Sequence, residues 1–202
     1  FVVVKIVIIN GISSSFELFA IDPWTKEEEL KREKELLGFY LSGDPLEKYD
    51  ADIYEFSNIN LSKIPKSKPA NIYIGGIIEN ISIKFDKKNN PWAIISLSNK
   101  TGKLELFVFN NIYEKYKNLL YNDTCVFVMG VPSNRQEVNG FKIIANKIIP
   151  LNQVRKKLSN NINIKIDQEF IDYSIIKSLE FLAKENSGSC KLIFHFVCKG
   201  SI

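Results

Sequence analysis

Residues 71–150 read as three strands, a helix and two further strands. That order predicts a mainly β protein with helices, built on a five-stranded Greek-key barrel of the OB-fold type. Three observations carry the prediction. Apolar residues alternate with polar ones over short stretches. Turn residues separate those stretches. A single run of helical period falls between the third and fourth strands. A helical segment is expected before the barrel, and the start of a βαβ unit after it.

The elements follow in order. Residues 1–22 form an N-terminal segment whose first nine residues are rich in Val and Ile and read as a strand or an adventitious end; Gly11 and Ser13-Ser14-Ser15 break it. Residues 23–70 are a helix and a linker. Thr25 with Glu28 three positions on is a capping-box pattern, Glu27, Glu28 and Glu29 suit the positive end of the helix dipole, and Gly38 can close the helix in the left-handed conformation. Residues 56–70 are polar, contain Pro65 and Pro69, and read as linker.

In the barrel region, Ile72 and Ile74 share one parity, whereas Ile81, Ile83 and Phe85 share the other. A bulge at Gly75-Gly76 is therefore expected in a long first strand. Asn89-Asn90-Pro91 is a turn. Ala93, Ile95 and Leu97 make the inward face of a second strand, and Leu104, Leu106 and Val108 that of a third, joined by a hairpin loop over 99–102. Residues 110–120 read as a helix with Ile112, Tyr116, Leu119 and Leu120 on one side. Residues 124–131 are a fourth strand, apolar on both faces. Asn139-Gly140 is a hairpin signal, and residues 141–149 are a fifth strand.

Beyond Pro150, Arg155-Lys156-Lys157 and Asn160-Asn161 read as a second linker. A strand with Ile162, Ile164 and Ile166, a helix over 170–185 and a strand over 192–197 then begin a βαβ unit. Residues 151–202 are expected to be a truncated domain, since one such unit cannot bury its own apolar faces.

The composition narrows the function classes. With 45% hydrophobic and 25% charged residues, and only 10 glycines in 202, the chain is neither disordered nor fibrous as a whole. Cys125, Cys190 and Cys198 share no metal-ligand spacing and no CxxC, which argues against a disulfide framework and a zinc site. A reduced, cytoplasmic setting is expected. The one histidine, His195, sits between Phe194 and Phe196 as a strand residue. The apolar run at 1–9 is too short to span a membrane. There is no GxxxxGK[ST], HExxH or GxSxG motif and no carboxylate set for phosphoryl transfer, so neither catalytic residues nor a cofactor is expected in this chain. A first residue other than Met reads as a piece of a longer protein.

Net charge is +4 overall, but it is uneven: −3 over residues 1–70, +4 over 71–148 and +3 over 149–202. The barrel is therefore its own basic region. With 29 Ile, 24 Lys and 20 Asn, the chain carries an A/T-rich coding bias that enriches lysine irrespective of function, so charge serves as support only. OB-folds bind single strands on the face of strands two and three, between the loops joining strands one to two and four to five. The first loop carries Lys84, Lys87 and Lys88; the second carries Arg135, with Lys142 just beyond. Alternation points Trp92, Lys103 and Phe107 outward on that face. Aromatics beside lysines are what base stacking with phosphate contact requires. These eight residues are the candidate nucleic-acid-binding site.

Two motifs add a family resemblance. Residues 33–46, Glu-Lys-Glu-Leu-Leu-Gly-Phe-Tyr-Leu-Ser-Gly-Asp-Pro-Leu, closely resemble a stretch of the alpha subunit of bacterial DNA polymerase III that usually reads E-x-x-x-L-G-x-Y-L-[ST]-G-H-P-[LI]; Asp44 stands where that family has His. Ile94-Ile95-Ser96-Leu97, followed by residues 101–109 and Tyr113-Glu114-Lys115-Tyr116, resembles the same family's OB signature. The resemblance covers roughly residues 24–197. It implies a C-terminal piece of a replicative polymerase, a DNA-directed nucleotidyltransferase whose catalytic carboxylates would lie upstream. It implies a sliding-clamp peptide of the Q-x-x-[LM]-F kind, matched here by Leu18 and Phe19 with Ser15 in place of Gln. It also implies contact between the C-terminal unit and the tau subunit of the clamp loader.

The resulting expectation is a non-catalytic module of DNA replication that binds single-stranded template DNA through the OB-fold and contributes to replisome contacts. The alternatives are a protein-interaction scaffold that docks the sliding clamp or clamp loader, and an RNA-binding OB module of a tRNA synthetase type.

Overall fold

The computed structural model describes residues 23–63, 69–133, 141–167 and 172–197. The chain divides into two units, one ending at Lys48 and the other beginning at Tyr49. Leu18 and Phe19, the Asn139-Gly140 turn and Cys198 lie outside the described residues, as does Arg135.

In the first unit, helix α1 (Lys26–Leu37) starts at Thr25, whose hydroxyl accepts from the Glu28 amide while the Glu28 carboxylate accepts from the Thr25 amide. Both halves of the predicted capping box are therefore formed. Gly38 ends the helix at φ 81°. The chain then folds back onto the helix. The Glu33 carboxylate accepts from the amides of Leu41 (2.8 Å) and Ser42 (2.9 Å), and the Lys26 ammonium donates to the Ser42 hydroxyl at 2.6 Å. Asp44 accepts from the Leu46 amide at 2.8 Å, an Asx turn. These residues act locally: Glu33 caps the returning loop, and Asp44 holds the next bend.

The second unit opens with α2 (Asp50–Phe56), which sequence reading missed, and contains the barrel strands β1 (Ile72–Phe85), β2 (Pro91–Asn99), β3 (Gly102–Val108), β4 (Cys125–Pro132) and β5 (Phe141–Pro150). They close in the order β1-β2-β3-β5-β4, with β3 and β5 parallel and every other pair antiparallel. Helix α3 (Asn110–Tyr116) lies between β3 and β4 and packs Ile112, Tyr113 and Tyr116 against the core. This is the predicted OB-fold. Its core is the inward parity of the strands: Ile72, Ile74 and Ile78, Ala93, Ile95 and Leu97, Leu104, Leu106 and Val108, Val126 and Val128, and Ile143, Ala145 and Ile148.

Three expectations need correction. The bulge in β1 is not at Gly75-Gly76. The inward parity runs through them from Ile74 to Ile78, and the pairing with β2 slips between Ile78 and Asn80. The glycines instead permit close approach. A Cβ on Gly76 would lie 2.5 Å from the Ser98 carbonyl oxygen, and one on Gly75 would lie 2.6 Å from Ile53 of α2. Second, residues 57–61 are not free linker. The Asn58 side chain bonds the Tyr73 amide and the Asn71 carbonyl, both at 2.8 Å, and Ile59 enters the barrel core. The polar majority of the stretch hid one isoleucine. Third, residues 151–158 are not linker either. A 3-10 turn at Leu151–Gln153 leads into α4 (Val154–Leu158), with Leu151 and Val154 buried. Arg155 pairs with Asp52 of α2, and Lys100 with Asp50. The basic run had suggested solvent; its apolar partners sit on the other side of the turn.

The last elements match expectation. Strand β6 (Asn161–Asp167), helix α5 (Tyr173–Glu185) and strand β7 (Lys191–Val197) form a βαβ unit with β6 and β7 parallel. Asp172 caps α5 by accepting from the Ile175 amide at 2.8 Å. His195 lies 3.0 Å from the Asn163 side-chain oxygen across the strand pair. Among the described residues, no helix is long and apolar enough to cross a membrane, and no group of three or more His, Cys, Asp or Glu could hold a metal.

Gly76→Ala should lower barrel stability by about 1–3 kcal/mol, the usual cost of forced overpacking, read as a fall in urea midpoint; an unchanged midpoint would refute the close-approach argument. The amide of Ser42, followed by that of Leu41, holds the Glu33 carboxyl below the ordinary glutamate range. A carboxyl depressed on folding stabilises above its unfolded pKa and loses that contribution as pH falls through the lower, folded value. The Leu41 and Ser42 amides should therefore stay protected from hydrogen exchange at neutral pH and lose protection in acid, and Glu33→Ala should remove it at every pH.

Candidate nucleic-acid interface

Strand alternation builds this surface. The side chains between the inward positions of β2 and β3 must point away from the barrel interior, which places Trp92, Ile94, Lys103, Glu105 and Phe107 on its outer face. Pairing then sets their neighbours: Lys84 of β1 is opposite Trp92, Ile94 is opposite Phe107, and Lys142 of β5 is opposite Glu105.

At the centre, three rings form a cluster. Trp92 lies 6.4 Å from Phe107 and 5.9 Å from Phe109, and the two phenylalanines stack at 6.5 Å with an interplanar angle of 18°. Such pairs contribute about 0.5–1.5 kcal/mol each beyond area burial. The cluster has an inside and an outside. Phe107 is only 6% exposed, whereas Phe109 is 44% exposed and Trp92 is half-buried. Phe107 therefore points outward as predicted but is covered, and a base could not stack on it directly. The accessible ring surface belongs to Trp92 and Phe109. Sequence reading set Phe109 in the same outward parity as Glu105 and Phe107 but left it out of the site; that parity was the available signal, although β3 itself ends at Val108.

The charges on this face are largely spoken for. Lys142 is 8% exposed, pairs with Glu105 at 2.9 Å, and places its ammonium 5.8 Å from the Phe107 ring centroid. A lysine buried to this degree needs such partners. It serves as structure under the platform, contrary to its expected part as a phosphate contact. Lys103 pairs with Glu79 at 2.8 Å. Both chains of that pair reach solvent, so the bond is worth little and can be exchanged for a phosphate.

Lys84, Lys87 and Lys88 differ. All three are exposed and none has an ion pair among the described residues. Lys87 and Lys88 ride on the turn between β1 and β2. That turn is organised by Asp86, whose Oδ1 accepts from the amides of Lys88 and Asn90, both at 2.8 Å, and whose Oδ2 accepts from the Asn90 side chain at 3.0 Å. The Asp86 amide donates to the Asn90 carbonyl, and the Asn89 amide to the Asp86 carbonyl, with Asn89 at φ 61°. The structure thus brings together Lys84, Trp92, Phe107, Lys103 and Lys142 on one surface bordered by the Lys87-Lys88 turn.

The comparisons with known proteins bear on this surface. The tRNA anticodon-binding family model, described as an OB-fold nucleic acid binding domain, matches residues 72–151. The DNA polymerase III alpha subunit of Borreliella burgdorferi is 30% identical over 193 residues, covering 92% of this chain and 17% of that protein. The Escherichia coli K12 alpha subunit is 25% identical over 177 residues, covering 86% and 15%; that of Pseudomonas aeruginosa is 24% identical over 172 residues, covering 85% and 15%. The chain spans less than a fifth of the length of each of these relatives. A replication protein A heterotrimer bound to ssDNA aligns at 15% identity and a TM-score of 0.36, over 50% of this chain and 86% of that one; so low a score leaves the fold to the strand order and the family match. The chain is homologous to a segment of the bacterial DNA polymerase III alpha subunit over about nine-tenths of its length, with an OB-fold nucleic-acid-binding domain in that segment.

Proposed function

We propose that this chain is a non-catalytic module of a replicative DNA polymerase alpha subunit, working in the cytoplasm, and that its barrel binds single-stranded template DNA. The observation that carries the reading is the half-open ring surface of Trp92 and Phe109 on the β2–β3 face, bordered by three lysines that have no ion pair among the described residues. Bases stack on the rings and phosphates meet Lys84, Lys87 and Lys88. Each stacked base contributes about 1–3 kcal/mol and tolerates any sequence, because every base has a π-face. The lysines release counterions, so binding weakens with salt. Homology to polymerase alpha subunits favours DNA over the RNA substrate of a synthetase-type module. In the same assembly Leu18 and Phe19 would anchor the chain to a sliding clamp, a role resting on the sequence pattern alone.

The test is titration of the 202-residue chain with a labelled oligothymidylate across a salt series. Binding should fall with salt. Replacing Lys84, Lys87 and Lys88 together by Ala should flatten the logarithmic salt slope by about 2, at roughly 0.7 per phosphate released from a single strand. Phe109→Ala should weaken binding at every salt concentration and leave the slope alone. Phe107→Ala should instead lower folding stability by about 3 kcal/mol, as truncation of a covered ring does. Absence of salt-sensitive binding at low ionic strength would refute the proposal.

A further inference from the structure

The strongest local peculiarity of the interface is a carboxylate in the middle of its lysines. Asp86 lies between Lys84 and Lys87, where simple charge counting makes it a repulsive defect for any polyanion. Its hydrogen bonds say otherwise. One oxygen gathers the amides of Lys88 and Asn90, the other holds the Asn90 side chain, and the backbone of Asp86 closes the same turn at both its amide and its carbonyl. The Asn90 side chain, followed by the Asn90 and Lys88 amides, keeps the carboxyl below the ordinary aspartate range, so the acceptor stays ionised at neutral pH.

Resting on the reading of this face as a single-strand site, we propose that Asp86 is a positioning residue: it fixes the β1–β2 turn so that Lys87 and Lys88 meet the nucleic acid already arranged. The argument is one of entropy. Two exposed lysines on a loose loop must be ordered at the moment of binding, and that cost comes out of the affinity. A turn tied at five points by one residue removes most of it in advance. The positive charge that matters is on this turn, since Lys103 and Lys142 on the strands face Glu79 and Glu105. Position and charge pull in opposite directions at residue 86, which makes the two separable.

The experiment compares Asp86→Ala and Asp86→Asn in the full chain. Asparagine keeps an oxygen that can accept from the Lys88 and Asn90 amides and deletes the negative charge; alanine deletes both. Asp86→Asn should bind oligothymidylate at least as tightly as the parent chain. Asp86→Ala should bind roughly five- to tenfold more weakly, the scale of one net hydrogen bond lost from the organised state, and the Lys88 and Asn90 amides should exchange faster in Asp86→Ala than in Asp86→Asn. If Asp86→Ala binds as tightly as Asp86→Asn, charge alone governs the position and the inference is wrong. If the parent chain does not bind the oligonucleotide, the site reading fails, while amide exchange still reports on the turn.

Discussion

Parallel pairing of β3 with β5, Leu104 to Phe107 against Phe141 to Ile144, is the constraint on which the rest of the structure depends. Without it the five strands are an open sheet in the order β3-β2-β1-β4-β5, with two exposed edges, each a template for another chain. With it the sheet closes, the inward isoleucines, leucines and valines share one core, and the outward residues of β2, β3 and β5 form one continuous face. The same pairing sets Lys142 beside Glu105, and so places a buried ammonium under the Phe107 ring. The aromatic cluster is therefore a consequence of barrel closure: Phe107 is its covered base, and Trp92 and Phe109 carry its accessible ring surface.

The charge distribution follows a similar division of labour. On the outer face of β3 and β5, Lys103 is matched by Glu79 and Lys142 by Glu105. Asp50 and Asp52 of α2 take up Lys100 and Arg155. At the rim next to the ring cluster, Lys84, Lys87 and Lys88 have no ion pair among the described residues. A net charge of +4 over residues 71–148 says little by itself; its value lies in which cations lack partners.

Strand order was legible because inward residues alternate cleanly in β2 and β3, and helix α1 because its capping box and terminal glycine are local signals. The failures were equally physical. Alternation in β1 changes parity, and a glycine pair is the obvious place for a bulge, yet the slip falls at Ile78–Asn80 because Gly75 and Gly76 are needed for contact with Ile53 and Ser98. Ile59 and the Leu151–Val154 pair are isolated apolar residues in polar stretches, so only tertiary structure reveals them. At the site, period-two reasoning gave the direction of Phe107 but not its depth, and Lys142, chosen for its place just beyond a loop, is buried. Direction is a property of one strand, whereas burial depends on which neighbours arrive from others. Asp86 was passed over because a carboxylate among lysines reads as surface noise until its hydrogen bonds are seen.

Under the proposed function, single-stranded DNA would meet the outer face of β2 and β3 together with the β1–β2 turn. Titrating the isotope-labelled chain with an unlabelled oligothymidylate and following its two-dimensional NMR spectrum tests that most directly. The account predicts shifts concentrated at the Trp92 indole and at the amides of Lys84, Lys87, Lys88 and Phe109, with the signals of α2 and α4 left in place. Shifts confined to α2 and α4, with Trp92 and the turn unmoved, would contradict it.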